Sequence, residues 1–297
     1  MTNRREFLKR ASMLVAGGAV GSSILSSCGG GGGAASAVPR KHIGLQLYSL
    51  RDDVADLGIQ PVLEIVAQMG YTNIETAGYV DGMIYNMSPS EFKRRVDDLG
   101  MQLTSAHLMH IMSDNRTEDM AWWSRATAAH AEAGFKYMVM PWAPFTGEDA
   151  NLDNVQRYAE YFSNIGMITS ASSISFGYHN HEFEFTNKID GVPLYDVLIE
   201  NMNTRVVFMQ NDVYWTQVGG YDPVEYLKKY PRVIRTLHLK DETYIGSSGN
   251  MDFRAILNQF HANGMRDWYV EVEEYVGTPQ EDVKRSFDYL NAADFVV

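Results

Sequence analysis

Short apolar runs and longer amphipathic segments alternate along the chain from Lys41 to the C-terminus. The apolar runs are rich in β-branched and aromatic residues, which is typical of buried strands. We predict eight strands. The first four cover residues 42–48, 73–77, 102–107 and 137–140, the fifth begins the stretch 174–185, and the last three cover residues 205–212, 232–240 and 267–273.

The segments between these strands carry apolar residues at helical spacing. They predict helices over residues 54–69, 88–99, 117–133, 152–169, 194–201, 223–229, 251–262 and 279–290. Regular alternation of strand and helix indicates a parallel sheet, and eight repeats favour closure into a single (β/α)₈ barrel. An open doubly wound sheet is the alternative, but no GxGxxG turn follows the first strand.

Ligand-type side chains stand where several of these strands end. The fifth strand ends in His179-Asn-His181, and its alternating geometry places both imidazoles on one face. An isolated pair of this kind is equally consistent with two hydrogen-bonded histidines in a polar loop. The other strand ends carry Glu75, His107, Asp212, His238 with Lys240, and Glu271 with Glu273.

Barrel closure brings strands five to eight side by side, so that one residue from each could surround a divalent cation. These residues are His179, Asp212, His238 and Glu271. Any one of them has an ordinary alternative, since a lone aspartate at a strand end often caps a helix. Mixed nitrogen and oxygen ligation suits Mn²⁺ first, with Co²⁺, Fe²⁺ or Zn²⁺ as alternatives. Mg²⁺ is less favoured, because it prefers oxygen ligands to imidazoles.

The net charge limits the possible binding partners, and the N-terminal sequence with its cysteine indicates where the protein is located. The formal net charge of −12 argues against a nucleic-acid backbone or an anionic membrane surface as the main partner. The N-terminus carries Arg4-Arg5, a bland apolar run over 11–25, and Leu25-Ser-Ser-Cys28. This pattern resembles a twin-arginine lipoprotein signal, with a short membrane anchor as the alternative.

We therefore expect residues 1–28 to be a signal that ends at a lipidated Cys28. Residues 29–40 would form a flexible Gly/Ala/Ser tether, and residues 41–297 the catalytic barrel. The expected location is the periplasmic side of a bacterial membrane, with membrane contact only through the lipid. A single cysteine leaves no internal disulfide framework.

Six segments carry a family resemblance that covers the chain from Lys41 onward. They read GLQLYSLRD, NIETAGY, GYHNHEFEF, NDVYW, LHLKD and VEVEEY, and resemble the xylose isomerase-like TIM barrels grouped as sugar phosphate isomerases/epimerases. The resemblance implies one divalent metal held by His179, Asp212, His238 and Glu271. One departure is that many epimerases of this superfamily have glutamate at the position of His179, which puts a scheme with two glutamate bases in doubt.

The resemblance also implies a function. We expect a metal-dependent sugar isomerase or epimerase that acts through an enediolate on a non-phosphorylated sugar or keto-sugar. Glu271, Glu273, Lys240 and His107 are the candidate catalytic groups. The candidate substrate contacts are Gln46, Tyr48, Glu75, His181 and Trp215.

Two alternatives remain open from the residues alone. One is a metal-dependent lyase or hydratase that cleaves 3-keto-glycosides by β-elimination, because the first proton abstraction is common to both reactions. The other is a non-catalytic sugar-binding lipoprotein on the same fold. The sequence leaves the oligomeric state open.

Overall fold

The computed structural model describes residues 41–297. Within this part of the chain, eight parallel strands close into a barrel. They are β1 Gly44–Gln46, β2 Asn73–Thr76, β3 Gln102–His107, β4 Tyr137–Met140, β5 Ser175–His179, β6 Val207–Asp212, β7 Ile234–Leu239 and β8 Trp268–Val270. Each strand pairs with its neighbours in sequence, and Gly44 closes the ring by facing both Asn73 and Tyr269. The predicted (β/α)₈ barrel is confirmed.

Helices connect the strands and cover the outside of the barrel. They are α1 Arg51–Leu57, α2 Ile59–Met69, α3 Pro89–Asp98, α4 Arg116–Glu132, α5 Leu152–Ser170, α6 Phe183–Thr186, α7 Leu194–Asn201, α8 Val213–Val218, α9 Pro223–Lys229, α10 Phe253–Ala262 and α11 Pro279–Ala292. Two predicted helix starts are confirmed by their caps. The Ser88 hydroxyl accepts a hydrogen bond from the Glu91 amide, and Thr278 and Glu281 cap each other reciprocally.

The prediction of a single helix over 54–69 is wrong. Two helices, α1 and α2, meet at Gly58, whose backbone has φ 80° and ψ 165°. This conformation is almost confined to glycine, so the helix ends before Gly58 and a new one begins after it. Apolar spacing alone does not reveal such a break, because it continues on both sides.

The first and last strands are shorter than predicted. Residues Leu47–Leu50 form a 3₁₀ helix, and the Gln46 side chain caps it by accepting a hydrogen bond from the Tyr48 amide. Tyr48 therefore lies in this helix and not in the strand predicted over residues 42–48. At the other end, β8 stops at Val270, so Glu271 and Glu273 lie in the loop that follows it.

Glycines let large side chains fill the barrel interior. A Cβ atom at Gly177 would lie 2.6 Å from the Phe208 ring, and one at Gly44 would lie 2.4 Å from the Trp268 carbonyl oxygen. Above this packed layer the interior becomes polar, with Glu75, Gln210 and His238 fully buried. The fold thus directs polar side chains toward the C-terminal end of the strands, where active sites of such barrels lie.

The predicted signal, the lipidation of Cys28 and the tether over 29–40 lie outside the described residues. From residue 41 onward, none of the helices combines the length and the apolar character that crossing a membrane would need.

Candidate metal centre and active-site cavity

The four predicted ligands come together at the C-terminal end of the barrel. His179 ends β5, Asp212 ends β6, His238 lies near the end of β7, and Glu271 directly follows β8. One potential ligand atom from each lies within 4.8 Å of the others, and all four residues are buried. His107 forms a second such group with His179 and His238. Two imidazoles and two carboxylates at this spacing can hold a divalent cation.

Glu75 lies beneath this cluster and holds His238 in place. Its carboxylate accepts a hydrogen bond from His238 Nε2 at 2.5 Å and from Ser105 Oγ at 2.5 Å. The amide groups of Gln46 and Gln210 each donate to it at 2.8 Å. Burial favours the neutral acid, but His107 and His238 lower the pKa of Glu75 to about 2. Glu75 is therefore an anion whose oxygens are fully engaged within the barrel.

The orientation of His238 follows from its two carboxylate neighbours. With Nε2 held by Glu75, Nδ1 points to Glu271 Oε2 at 3.1 Å. Burial would lower the pKa of His238, but Glu271 and Glu75 raise it to about 10. Burial likewise opposes ionisation of Glu271, while His238 and Lys240 hold its pKa well below the usual range. The two carboxylates thus favour the protonated form of His238, and a cation bound at Nδ1 would have to displace that proton.

Gln210 is a central residue of the site that the sequence analysis missed. Its Oε1 atom lies 2.6 Å from His107 Nε2 and 3.2 Å from His179 Nδ1, so each imidazole donates to it in the matching tautomer. This arrangement turns His179 Nε2 toward the cluster. Burial lowers the pKa of His179 well below its usual value, which keeps it in the neutral form that a ligand requires. The alternation of side chains along a strand could have identified Gln210, because it places this residue on the same face of β6 as Asp212.

Asp212 both caps a helix and offers a free oxygen to the cluster. Its Oδ1 accepts a hydrogen bond from the Trp215 amide at 2.9 Å, at the start of α8. Its Oδ2 is buried and has no hydrogen-bond partner. Burial raises the pKa of Asp212 to about 7, with the Glu271 charge adding to the effect and Lys240 opposing it. An unpaired buried carboxylate oxygen among two imidazoles and a second carboxylate fits a bound cation.

Lys240 and Glu273 form an ion pair beside the ligands. The Lys240 ammonium donates to Glu273 Oε2, and it lies 5.5 Å from the centre of the Trp215 ring. Burial favours the neutral amine, but Glu271 and Glu273 raise the pKa of Lys240 above its usual value. Lys240 is therefore a buried cation, which offsets the charge of the surrounding carboxylates.

A cavity of about 340 Å³ opens above the metal cluster. This volume is at the lower end of the roughly 300 to 1,000 Å³ that small-molecule sites occupy. Its lining consists of Tyr48, Ala77, His107, Met109, Pro141, Trp142, His179, His181, Glu271 and Glu273. Of the predicted substrate contacts, Tyr48 and His181 line this cavity. Gln46 and Glu75 lie below it in the barrel interior, and Trp215 lies beside Lys240.

The His181 loop is held by a buried carboxylate that the sequence analysis also missed. Glu184 accepts a hydrogen bond from the His181 amide at 2.8 Å and from the Tyr178 hydroxyl at 2.5 Å. The His181 ring stacks on Phe183, with 5.4 Å between ring centres, and its Nδ1 is buried without a partner. Burial lowers the pKa of His181 and raises that of Glu184 to about 8. His181 thus presents a neutral imidazole to the cavity.

Comparison with known proteins agrees with the fold. The model of the family described as xylose isomerase-like TIM barrel matches residues 63–293. The chain belongs to this family. A crystal structure of a sugar phosphate isomerase/epimerase from Parabacteroides distasonis is 33% identical and has a TM-score of 0.80, and the match covers 86% of this chain and 100% of that one.

More distant relatives carry different activities. A curated relative, inosose dehydratase from Geobacillus kaustophilus, is 25% identical over 218 residues, which are 65% of this chain and 66% of that protein. A 3-keto-D-glucoside 4-epimerase from E. coli is 17% identical with a TM-score of 0.61, and the match covers 79% of this chain and 94% of that one. The similarity to the 3-keto-D-glucoside 4-epimerase shows only a shared fold. The family therefore includes isomerases, epimerases and dehydratases.

Proposed function

We propose that this protein is a divalent-metal-dependent sugar isomerase or epimerase acting on a non-phosphorylated sugar or keto-sugar through an enediolate. The observation that carries the proposal is the convergence of His179, Asp212, His238 and Glu271, two of which, His179 and Glu271, line a sugar-sized cavity. The Asp212 oxygen without a partner supports it most directly.

The proposed cofactor is one Mn²⁺ ion, with Co²⁺, Fe²⁺, Zn²⁺ or Mg²⁺ as alternatives. Bound there, such a cation supplies Lewis-acid polarisation of neighbouring carbonyl and hydroxyl oxygens. His179 and His238 contribute imidazole nitrogens, and Asp212 and Glu271 contribute carboxylate oxygens. Glu75 and Gln210 hold the two imidazoles in the orientation that ligation needs.

Glu273 is the proposed base that removes the proton beside the carbonyl. It lines the cavity, and its partner Lys240 is buried and charged. Lys240 therefore serves as a fixed positive charge next to the developing enediolate rather than as a base. His107 and His181 line the same cavity and are the proposed contacts for sugar hydroxyl groups.

Gln46 and Glu75 take a different role in this proposal from the substrate contacts expected of them. Both are fully buried, and Gln46 Nε2 donates to Glu75, which in turn holds His238. They position a metal ligand. Tyr48 and His181 keep the role of substrate contacts.

Exchange of substrate hydrogen with solvent tests this function directly. Candidate ketoses, aldoses and 3-keto-sugars are incubated with the Mn²⁺-loaded protein in D₂O and followed by proton NMR. The proposal expects deuterium at the carbon beside the carbonyl, and no exchange with Glu273→Gln. Absence of exchange with every sugar, despite bound metal, would support a sugar-binding protein instead.

A lyase or hydratase acting on 3-keto-glycosides by β-elimination is the second candidate. A curated relative that is a dehydratase favours it. The family resemblance adds that many epimerases have glutamate at the position of His179, which puts a scheme with two glutamate bases in doubt. Release of the leaving group from a 3-keto-glycoside, measured beside deuterium exchange, separates the two. A lyase releases it at the rate of proton abstraction, whereas an epimerase retains it.

Export and lipidation at Cys28 remain part of the proposal. Mass spectrometry of the mature protein tests them, since a lipidated N-terminal Cys28 is expected.

A further inference from the structure

The cavity has two chemically different walls. One wall carries the metal ligands His179 and Glu271 together with Glu273. The other wall comes from the ends of β1 to β4 and is mostly apolar or aromatic, with His107 of β3 beside Tyr48, Ala77, Met109, Pro141 and Trp142. A substrate that fills this space contacts charged and imidazole groups on one side and mostly apolar or aromatic groups on the other.

The apolar wall continues out of the cavity onto the surface. Tyr48 is 44% exposed and Met109 is 53% exposed, although both line the cavity. The loops after β2 and β3 expose further apolar side chains, Val80, Met83 and Ile111. Because β1, β2 and β3 are adjacent in the barrel, these loops are neighbours at its rim. Single exposed apolar residues are ordinary, but several of them on neighbouring loops at the mouth of a cavity are typical of a binding surface.

The charged side chains that line the cavity are carboxylates. No lysine or arginine is among its lining residues in the described part of the chain, whereas Glu271 and Glu273 are. Arg51 stands next to this wall, with its guanidinium carbon 4.7 Å from the centre of the Tyr48 ring. Its nitrogens already donate to the Tyr275 hydroxyl at 2.8 Å and the Glu273 carbonyl at 3.1 Å. Arg51 therefore keeps its charge beside the Tyr48 side of the cavity, while a phosphate group inside the cavity would meet the two carboxylates, with the proposed metal as its counter-charge.

We propose that the substrate is a keto-glycoside with an apolar, preferably aromatic aglycone. Its sugar faces the ligand-bearing wall, and its aglycone lies along Tyr48, Met109 and Trp142 and extends toward the rim. This inference rests on the proposed function, and it adds the class of substrate. Aromatic rings gain from burial against such side chains, and one ring is worth about a tenfold or larger change in affinity.

Binding of matched glycosides tests the inference without turnover. Dissociation constants of the phenyl and methyl β-glycosides of glucose, galactose and xylose are measured by calorimetry, with the metal-free and the Mn²⁺-loaded chain. We expect phenyl glycosides to bind about tenfold more tightly or better, in both forms. Met109→Ser and Tyr48→Ala should each reduce the ratio of the two constants several-fold.

Two substitutions elsewhere provide matched controls. Met167 on α5 is 53% exposed, as Met109 is, and Tyr289 on α11 is 43% exposed, close to Tyr48. Met167→Ser and Tyr289→Ala should keep the wild-type preference for phenyl glycosides. Urea unfolding midpoints of all four variants confirm that each one is folded.

Each outcome is informative. Equal affinity for phenyl and methyl glycosides, or no binding of any phenyl glycoside at its solubility limit, would overturn the inference. A preference that survives both Met109→Ser and Tyr48→Ala would also overturn it, because the aglycone would then lie elsewhere. A preserved preference in a chain that binds no metal and exchanges no deuterium would contradict the proposed function and leave this inference standing.

Discussion

At the level of single residues, the site depends on buried polar groups that hold one another by hydrogen bonds, while one carboxylate oxygen of the candidate metal centre has no partner. Glu75 receives four hydrogen bonds, and Gln210 bridges two imidazoles. Asp212 Oδ2, in contrast, has no partner. Buried polar atoms are nearly always paired, and the position of this oxygen among two imidazoles and a second carboxylate is what makes a cation its fitting partner.

Replacing Glu75 with glutamine should weaken metal binding without removing a ligand. The amide would remove the negative charge that faces His238 Nε2, and its NH₂ group would meet the donating amides of Gln46 or Gln210. We expect Mn²⁺ affinity to fall by about 10- to 100-fold, measured by competition with a fluorescent chelator. Glu184→Gln serves as the control, since it changes a buried glutamate that holds a loop. Unchanged affinity in Glu75→Gln would contradict the role assigned to Glu75.

Glu184 should make stability depend on pH. Its pKa is raised by burial from 4.5 to about 8, so its stabilising contribution is fully present below pH 4.5 and is lost as pH rises toward 8. The free energy of unfolding of the wild type should therefore fall, between about pH 5 and 8, by on the order of a few kcal/mol more than that of Glu184→Gln. Urea unfolding at several pH values measures this difference.

Asp212 also has a raised pKa, but it is present in both proteins and cancels in the comparison. Glu182→Gln, at the neighbouring half-buried position, should follow the wild type. Parallel pH profiles for the wild type and Glu184→Gln would show that Glu184 is ionised in the folded state.

At the level of elements, hydrophobic periodicity and helix-capping residues located most strands and helices, but they did not reveal where a strand or helix is interrupted. The predicted limits of β3, β4, α7 and α9 agree with the structure. The break at Gly58 and the 3₁₀ helix after β1 were not predicted, because both depend on backbone angles and on contacts of Gln46 that hydrophobic spacing does not encode.

Gly58→Ala distinguishes a break from a continuous helix. If residues 54–69 formed one helix, alanine would stabilise the protein by up to about 1 kcal/mol. Because Gly58 adopts φ 80° and ψ 165°, we expect instead a loss of about 1–3 kcal/mol in the free energy of unfolding. Urea unfolding of the two proteins gives the sign, and a stabilised variant would contradict the break.

At the level of the whole molecule, the closed barrel explains why strand-end residues far apart in sequence form one site. Counting eight strands and reading their ends identified all four candidate ligands, because parallel strands present their C-terminal ends on one face. The same reasoning could not separate residues that line the cavity from residues beneath it. Gln46 and Glu75 share the ligand-bearing end of the barrel, and only packing shows that they are fully buried.

Metal content of the purified protein tests the central claim most directly. After Mn²⁺ is offered and excess is removed, elemental analysis of the wild type should give about one metal per chain. Asp212→Asn should lose it, whereas Asp196→Asn should retain it, because Asp196 is an equally buried aspartate held by Tyr226 and Tyr230 away from the site. No metal in the wild type, or equal metal in Asp212→Asn, would contradict the four-residue metal centre and the enediolate chemistry that depends on it.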